Sequence, residues 1–222
     1  MISPYLAPGF YDQALALGRH REIVGGRWDE TGRIQMQILQ AEGMRPHHRL
    51  LDIGAGSMRL GCKAVPYLEP GHYWATDASM ALMQRGRLIE MPDPARLPAK
   101  QMIEDAAFAF PGVPPCMDYA IAFGVFTHLP DAHLADALHA LHKGQPGLKA
   151  FLFTVFLAPD SAAGQPFRQA DGVVTHPDRP PYHRRAQDVA AIVADTGWAL
   201  ALRDTVLPRG QVLHVCHRAT SA

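Results

Sequence analysis

The chain has 222 residues and carries 21 Lys+Arg against 21 Asp+Glu, a formal net charge of zero. Without net charge there is no long-range field to draw in nucleic acid or an anionic membrane, which speaks against both partners. Apolar residues make up 48% and charged residues 19%, a globular composition that excludes disorder as the main state.

The length predicts one compact domain with an appendage. No membrane segment is visible: the longest apolar stretch, 150–158, is interrupted by Thr154 and falls well short of the roughly 20 residues of a spanning helix. The opening residues lack the basic start and apolar core of a secretory signal. Cys62, Cys116 and Cys216 lie far apart and read as reduced thiols of a cytoplasmic protein.

In chain order, the spacing predicts a helix over 28–40, with Ile34, Ile38 and Leu39 apolar and Gly43 as its stop. From residue 49 short apolar runs alternate with helical stretches. Strands are expected at 50–53, 72–76, 101–103, 119–123 and 150–156, and helices at 57–65 and 79–90. A further helix should start at an Asp131 cap, put Leu134, Leu138 and Leu141 on one face, and end at Lys143-Gly144. The fold class is therefore α/β, a doubly wound and mostly parallel sheet. The runs 198–207 and 211–217 are joined only by Pro208-Arg209-Gly210. So short a connection makes a hairpin, so one of those strands runs antiparallel to the rest.

Leu50-Leu51-Asp52-Ile53-Gly54-Ala55-Gly56 is a strand entering a glycine turn. Ligands of open α/β sheets sit beyond the carboxyl ends of the strands, where strand order reverses, and glycine lets them approach the backbone. The third glycine of a dinucleotide fingerprint would fall at position 59, which is Arg59, and no Gly-Lys-Ser/Thr phosphate loop is present. Asp52, Asp77 and the pair Glu104-Asp105 close three successive strands. A carboxylate accepts from both vicinal ribose hydroxyls, and another can accept from an exocyclic amine of adenine. Such a set suits a nucleoside with a cationic arm better than a dinucleotide.

With these residues in view, the chain resembles the class I S-adenosylmethionine-dependent methyltransferases, of the bacterial small-molecule type. The resemblance covers roughly residues 22–217. It is carried by Leu51-Asp52-Ile53-Gly54-Ala55-Gly56, Asp77-Ala78-Ser79, Glu104-Asp105-Ala106 and the stretch from Met117 through Phe123-Gly124-Val125-Phe126-Thr127-His128-Leu129-Pro130, with a lead-in at Gly25-Gly26-Arg27-Trp28-Asp29-Glu30. It implies a seven-stranded Rossmann-like sheet with a reversed terminal strand, and S-adenosylmethionine as cofactor. Gly54, Ala55 and Gly56 would lie under its methionine part, with Asp52 near that loop. Asp77 with Ala78 would hold the ribose, and Glu104, Asp105 and Ala106 would flank the adenine. The backbone of Phe123 and Gly124 would meet the amino group. Relatives often carry serine where Gly124 stands, so a side-chain contact is not expected there. Residues 1–48 would form a helical cap, with Trp28 roofing the site, over a methyltransferase domain at 49–222.

The connection 159–185 is long, rich in Pro and Gly, and leaves the carboxyl edge of the sheet, which predicts a substrate lid. Tyr182 and Arg184 are its candidate substrate contacts. His128 and His183 are candidate general bases. No metal site is expected: His139 and His142, or His47 and His48, lack the partners a zinc ion needs. The expected activity is methyl transfer to the oxygen or nitrogen of a small molecule, which the arginines of the connection could select if it is acidic or phosphorylated. An RNA or protein methyltransferase, and a non-catalytic domain that keeps the fold, remain the alternatives.

Overall fold

A computed structural model describes residues 5, 7 and 9–219. Two helices, α1 (Asp12–Ala16) and α2 (Trp28–Ala41), precede β1 (Leu50–Ile53). There follow α3 (Gly61–Tyr67), β2 (Tyr73–Asp77), α4 (Met80–Glu90), β3 (Met102–Glu104), β4 (Tyr119–Ala122), α5 (Asp131–Gly144) and β5 (Ala150–Leu157). The remainder holds the short strands β6 (Phe167–Arg168), β7 (Val174–Thr175) and β8 (His183–Arg184), then α6 (Ala186–Asp195), β9 (Trp198–Val206) and β10 (Gln211–Arg218). The expected division at 1–48 and 49–222 begins and ends on residues outside the described ones.

Seven strands form one path in the order β3-β2-β1-β4-β5-β10-β9. β1 pairs in parallel with β2 on one side and β4 on the other, so strand order reverses beside the glycine turn. β10 is antiparallel to both β5 and β9, as the short connection required. The doubly wound, mostly parallel sheet is thus the one expected. β8 adds to it by pairing in parallel with β5, Phe156 opposite His183.

The sheet is buried on both faces, which is why β4 is wholly apolar and β1 and β5 are apolar but for Asp52 and Thr154. Side chains alternate between two layers. Leu50, Tyr73, Ile121 and Leu152 pack with Leu39 of α2 and Met83 of α4. Leu51, Ile53, Ala120 and Phe151 pack with Leu138 of α5 and Val189 of α6. Leu134, Leu138 and Leu141 are fully buried, the stripe read from their spacing. Among the described residues no helix is long and apolar enough to cross a membrane.

Three local expectations change. The helix expected at 57–65 begins only at Gly61, because Met58 is held in the left-handed region at φ 65° and residues 54–60 stay in a turn. Asp131 is not the cap of α5: that place belongs to Pro130, and the Asp131 carboxylate accepts from Arg184 Nε at 2.6 Å. The connection 159–185 is structured. β6 and β7 form a hairpin, and the Tyr182 N–H donates to Thr127 O at 2.7 Å.

Candidate functional site

A cavity opens at the carboxyl ends of β1, β2, β3 and β4, beside the point of strand reversal. Its floor is the glycine turn. The Gly54 and Ala55 N–H groups both donate to Thr76 O, at 2.8 and 3.0 Å, which folds the turn back over β2. Gly54 and Gly56 sit at φ 69° and 55°, where side chains are strained. A Cβ on Gly54 would lie 2.4 Å from Val125 Cγ2, and one on Gly56 would lie 2.9 Å from Val24 Cγ1. A methyl at either point would crowd the hollow, so the turn must be glycine twice.

Of the residues singled out from sequence, Asp52, Gly54, Ala55, Gly56, Asp77, Ala78, Asp105, Ala106, Phe123, Gly124 and His128 line this cavity. The Asp77 carboxylate accepts from the Gly56 N–H and the Ser79 N–H, each at 2.9 Å. Burial pushes its carboxyl up to about 6, against the pull of those two donors. Asp52 accepts from the Tyr73 hydroxyl at 2.5 Å. Burial pushes Asp52 up to about 7, opposed by that hydrogen bond and by the charge of Arg59. The Asp105 carboxylate orders the next loop by accepting from Ala107 N–H at 2.9 Å and Phe110 N–H at 2.7 Å. The loop so ordered presents Phe108 to the cavity. The Gly124 N–H donates to Thr154 Oγ1 at 2.8 Å, and Thr154 Oγ1 donates to Gln211 Oε1 at 2.7 Å. Burial, and next the charge of Arg209, lower His128 to about 4, so its ring is neutral at pH 7.

The other candidates lie elsewhere. Trp28 is buried, with the His20 ring 6.4 Å away edge-on and the Arg21 guanidinium 5.3 Å over its ring. It does not line the cavity, so it supports the lead-in segment rather than roofing the site. Glu104 points along the sheet edge and accepts from Met80 N–H at 3.3 Å. Tyr182, His183 and Arg184 are buried but absent from the cavity wall. His183 Nδ1 is 2.9 Å from Thr175 Oγ1. Arg184 donates to Asp131 Oδ1, to Phe126 O at 2.8 Å and to Leu129 O at 2.7 Å. These bonds hold the loop that carries His128 from behind. β8 pairing on β5 turns the connection away from the hollow, and that register was not visible in the sequence. No group of three or more metal-ligating side chains exists among the described residues.

Several lining residues were given no site role from sequence. Tyr11, Ile23, Val24, Gly25 and Arg27 come from the segment before α2, Gly25 and Arg27 having been noted only as part of the lead-in motif, and Thr31 and Gln35 come from α2 itself. The signal for the last two is present: polar residues at i and i+4 on the helix face that also buries Ile38 and Leu39. Arg59 is the residue that breaks the dinucleotide fingerprint, and here its guanidinium lines the cavity. It donates to Val24 O at 3.0 Å, while its Nε is buried without a partner, as is Gln35 Oε1. Burial lowers Arg59 to about 10. The lead-in segment is tied down by Ser57 Oγ donating to His20 O at 2.8 Å. Glu90 also holds it, accepting from Arg21 at 2.6 and 2.7 Å and lying 2.5 Å from His20 Nε2.

The fold is that of known methyltransferases. Magnesium protoporphyrin IX methyltransferase from Synechocystis PCC 6803, solved with bound S-adenosylmethionine, superposes with a TM-score of 0.63 at 16% identity over 94% of each chain. Human N-acetylserotonin methyltransferase, also solved with that cofactor, gives 0.65 at 14% identity over 96% of this chain and 61% of its own. A glycopeptide N-methyltransferase gives 0.60 at 15% identity, covering 86% of this chain and 90% of its own. No protein-family model matches the sequence, and no curated protein matches it by sequence.

Proposed function

We propose that this chain is an S-adenosylmethionine-dependent methyltransferase acting on an oxygen or nitrogen atom of a small molecule. The observation that carries the reading is Asp77. Its carboxylate is pinned by two backbone N–H groups at the end of β2, beside a hollow that two Cβ atoms would crowd. A carboxylate so fixed keeps lone pairs for two vicinal hydroxyls.

The residues present fit the cofactor. Asp77 and Ala78 would take the ribose. Asp105, Ala106 and the ring of Phe108 would flank the adenine. The amino-acid tail needs a donor for its carboxylate and an acceptor for its ammonium. Arg59 and Gln35 line the same wall, and each has a buried polar atom, Nε and Oε1, without a partner, which costs about 1–3 kcal/mol and would be relieved by a small turn of either side chain toward the tail. Bound there, the cofactor would supply a methyl carbon activated by a positively charged sulfur.

The chain's own residues then orient the acceptor and keep water out. The segment before α2 acts as the cap, with Tyr11, Val24 and Arg27 over the hollow. A side chain held near 4, as His128 is, makes a weak base at pH 7, and His128 would position the acceptor by hydrogen bonding. His183, held by Thr175 outside the cavity, has no such role in this reading. The 159–185 connection braces the His128 loop. A recessed, half-enclosed cavity in a chain of zero net charge favours a small molecule over RNA or protein.

Calorimetry with S-adenosylmethionine and S-adenosylhomocysteine tests this. Both should bind with one-to-one stoichiometry, and Asp77→Ala should weaken each by about a hundredfold, the loss of two charge-assisted hydrogen bonds. Absence of heat with either ligand would sink the reading.

A further inference from the structure

We propose that Arg209 anchors an oxyanion on the acceptor, so that this site selects small organic acids with a flat apolar body. The inference rests on the cofactor reading above and adds the substrate class to it.

Arg209 stands in the turn between β9 and β10 and lines the cavity. Its Nη2 donates to Gly25 O at 2.5 Å, which aims the guanidinium across the mouth. Among the described residues no carboxylate lies within salt-bridge distance of it. It is solvent-exposed and stands at the rim of the cavity, near enough for its charge to act on Tyr5, Arg59 and His128. The backbone holds it at φ 64° and ψ 20°, an arrangement that is strained for any residue but glycine.

The cavity's charges are divided by side. The acids Asp52, Asp77 and Asp105 close β1, β2 and β3, and each is already engaged by Tyr73 or by backbone N–H groups. The wall made by His128, Arg209 and Gln211 contains no acid. The lining carries three acids and three arginines, and the cofactor, with two positive groups and one negative, would add a net positive charge. The Arg209 guanidinium has solvent and Gly25 O but, among the described residues, no carboxylate beside it, and its planar fork matches a carboxylate in two parallel hydrogen bonds. An acceptor that carries its own carboxylate would complete that side of the site. Around it the wall is aromatic and aliphatic: the Tyr5 ring lies 4.6 Å from that of His128, tilted by 49°, with Val125 and Leu129 also in the lining.

The test uses the full chain and two calorimetric steps. The first titrates S-adenosylhomocysteine. The second titrates the saturated protein with benzoate and 2-naphthoate, each against its primary amide. At least one acid should bind tenfold or more tighter than its amide. Arg209→Gln should bring acid and amide within about twofold of one another, while affinity for S-adenosylhomocysteine stays within about threefold. Arg209→Lys should keep part of the preference, and Arg33→Gln, on the exposed face of α2, all of it. Three results overturn the inference and leave the cofactor reading standing: equal binding of acids and amides, a preference that survives Arg209→Gln, or loss of S-adenosylhomocysteine binding in that variant, which would make Arg209 a cofactor contact. Failure of the wild-type protein to bind S-adenosylhomocysteine overturns both.

Discussion

Two segments flank the cavity and differ in what they do for it. The one before α2, with little regular structure, puts side chains into the hollow and is tied to the glycine turn and to Glu90. The connection between β5 and α6 is better ordered, and it contributes nothing to the cavity wall. It grips the His128 loop instead, through Arg184 and through the Tyr182 N–H. Length and composition point to the second as the cover. The difference teaches that a connection leaving the right edge of a sheet can be captured as an extra strand, and that a short lead-in can then become the cover.

The division of labour can be broken at Arg184, where the largest effect is expected. Arg184→Ala leaves the Phe126 and Leu129 carbonyls without a donor, while Asp131 is exposed and returns to water, and should cost about 2–5 kcal/mol of stability. Chemical denaturation reads this directly. If instead stability holds while cofactor affinity collapses, the connection belongs to the site after all. Next in size, Arg59→Leu should weaken S-adenosylhomocysteine binding by about 1.5–3 kcal/mol, the value of a hydrogen bond to a charged group, with little change in the denaturation midpoint. Unaltered affinity would show that the orphaned Nε is not a cofactor donor.

Ser57→Ala should cost about 1 kcal/mol, and that loss should be confined to the lead-in segment. Trypsin should cut faster at Arg19, Arg21 and Arg27 and no faster at Arg168 and Arg179, as mass spectrometry of the fragments would reveal. Smallest is the contribution of His128. Its folded-state value lies below its ordinary one, so the unfolded chain binds the extra proton, and stability falls as pH drops through about 6.5 toward about 4. At pH 6 the loss is under about 1 kcal/mol. Asp52 and Asp77, raised on folding, contribute the opposite slope in the same window, so His128→Gln should lose less stability than the wild type from pH 8 to 5.5, and an identical difference between those two pH values would mean the ring is solvated.

Much of the fold was legible because its signals are local. Short, mainly apolar runs marked β1, β4 and β5, the spacing of Leu134, Leu138 and Leu141 marked α5, and Pro208-Arg209-Gly210 forced the reversed strand. Gly54, Gly56 and Asp77 were legible too, since a turn after a buried strand and an acid at a strand end are fixed by position in the chain. The contributions of Arg59, Gln35 and Arg209 were not. Each depends on which distant backbone comes near: Val24 for Arg59, α2 packing over the glycine turn for Gln35, Gly25 for Arg209.

The sequence by itself determined the sheet, its reversed strand and the floor of the hollow, because periodicity and glycine act within a few residues. Only the tertiary structure decided what closes that hollow. Pairing of β8 with β5 and docking of the lead-in on Glu90 are contacts between remote segments, and no local pattern encodes which remote surface a segment will meet.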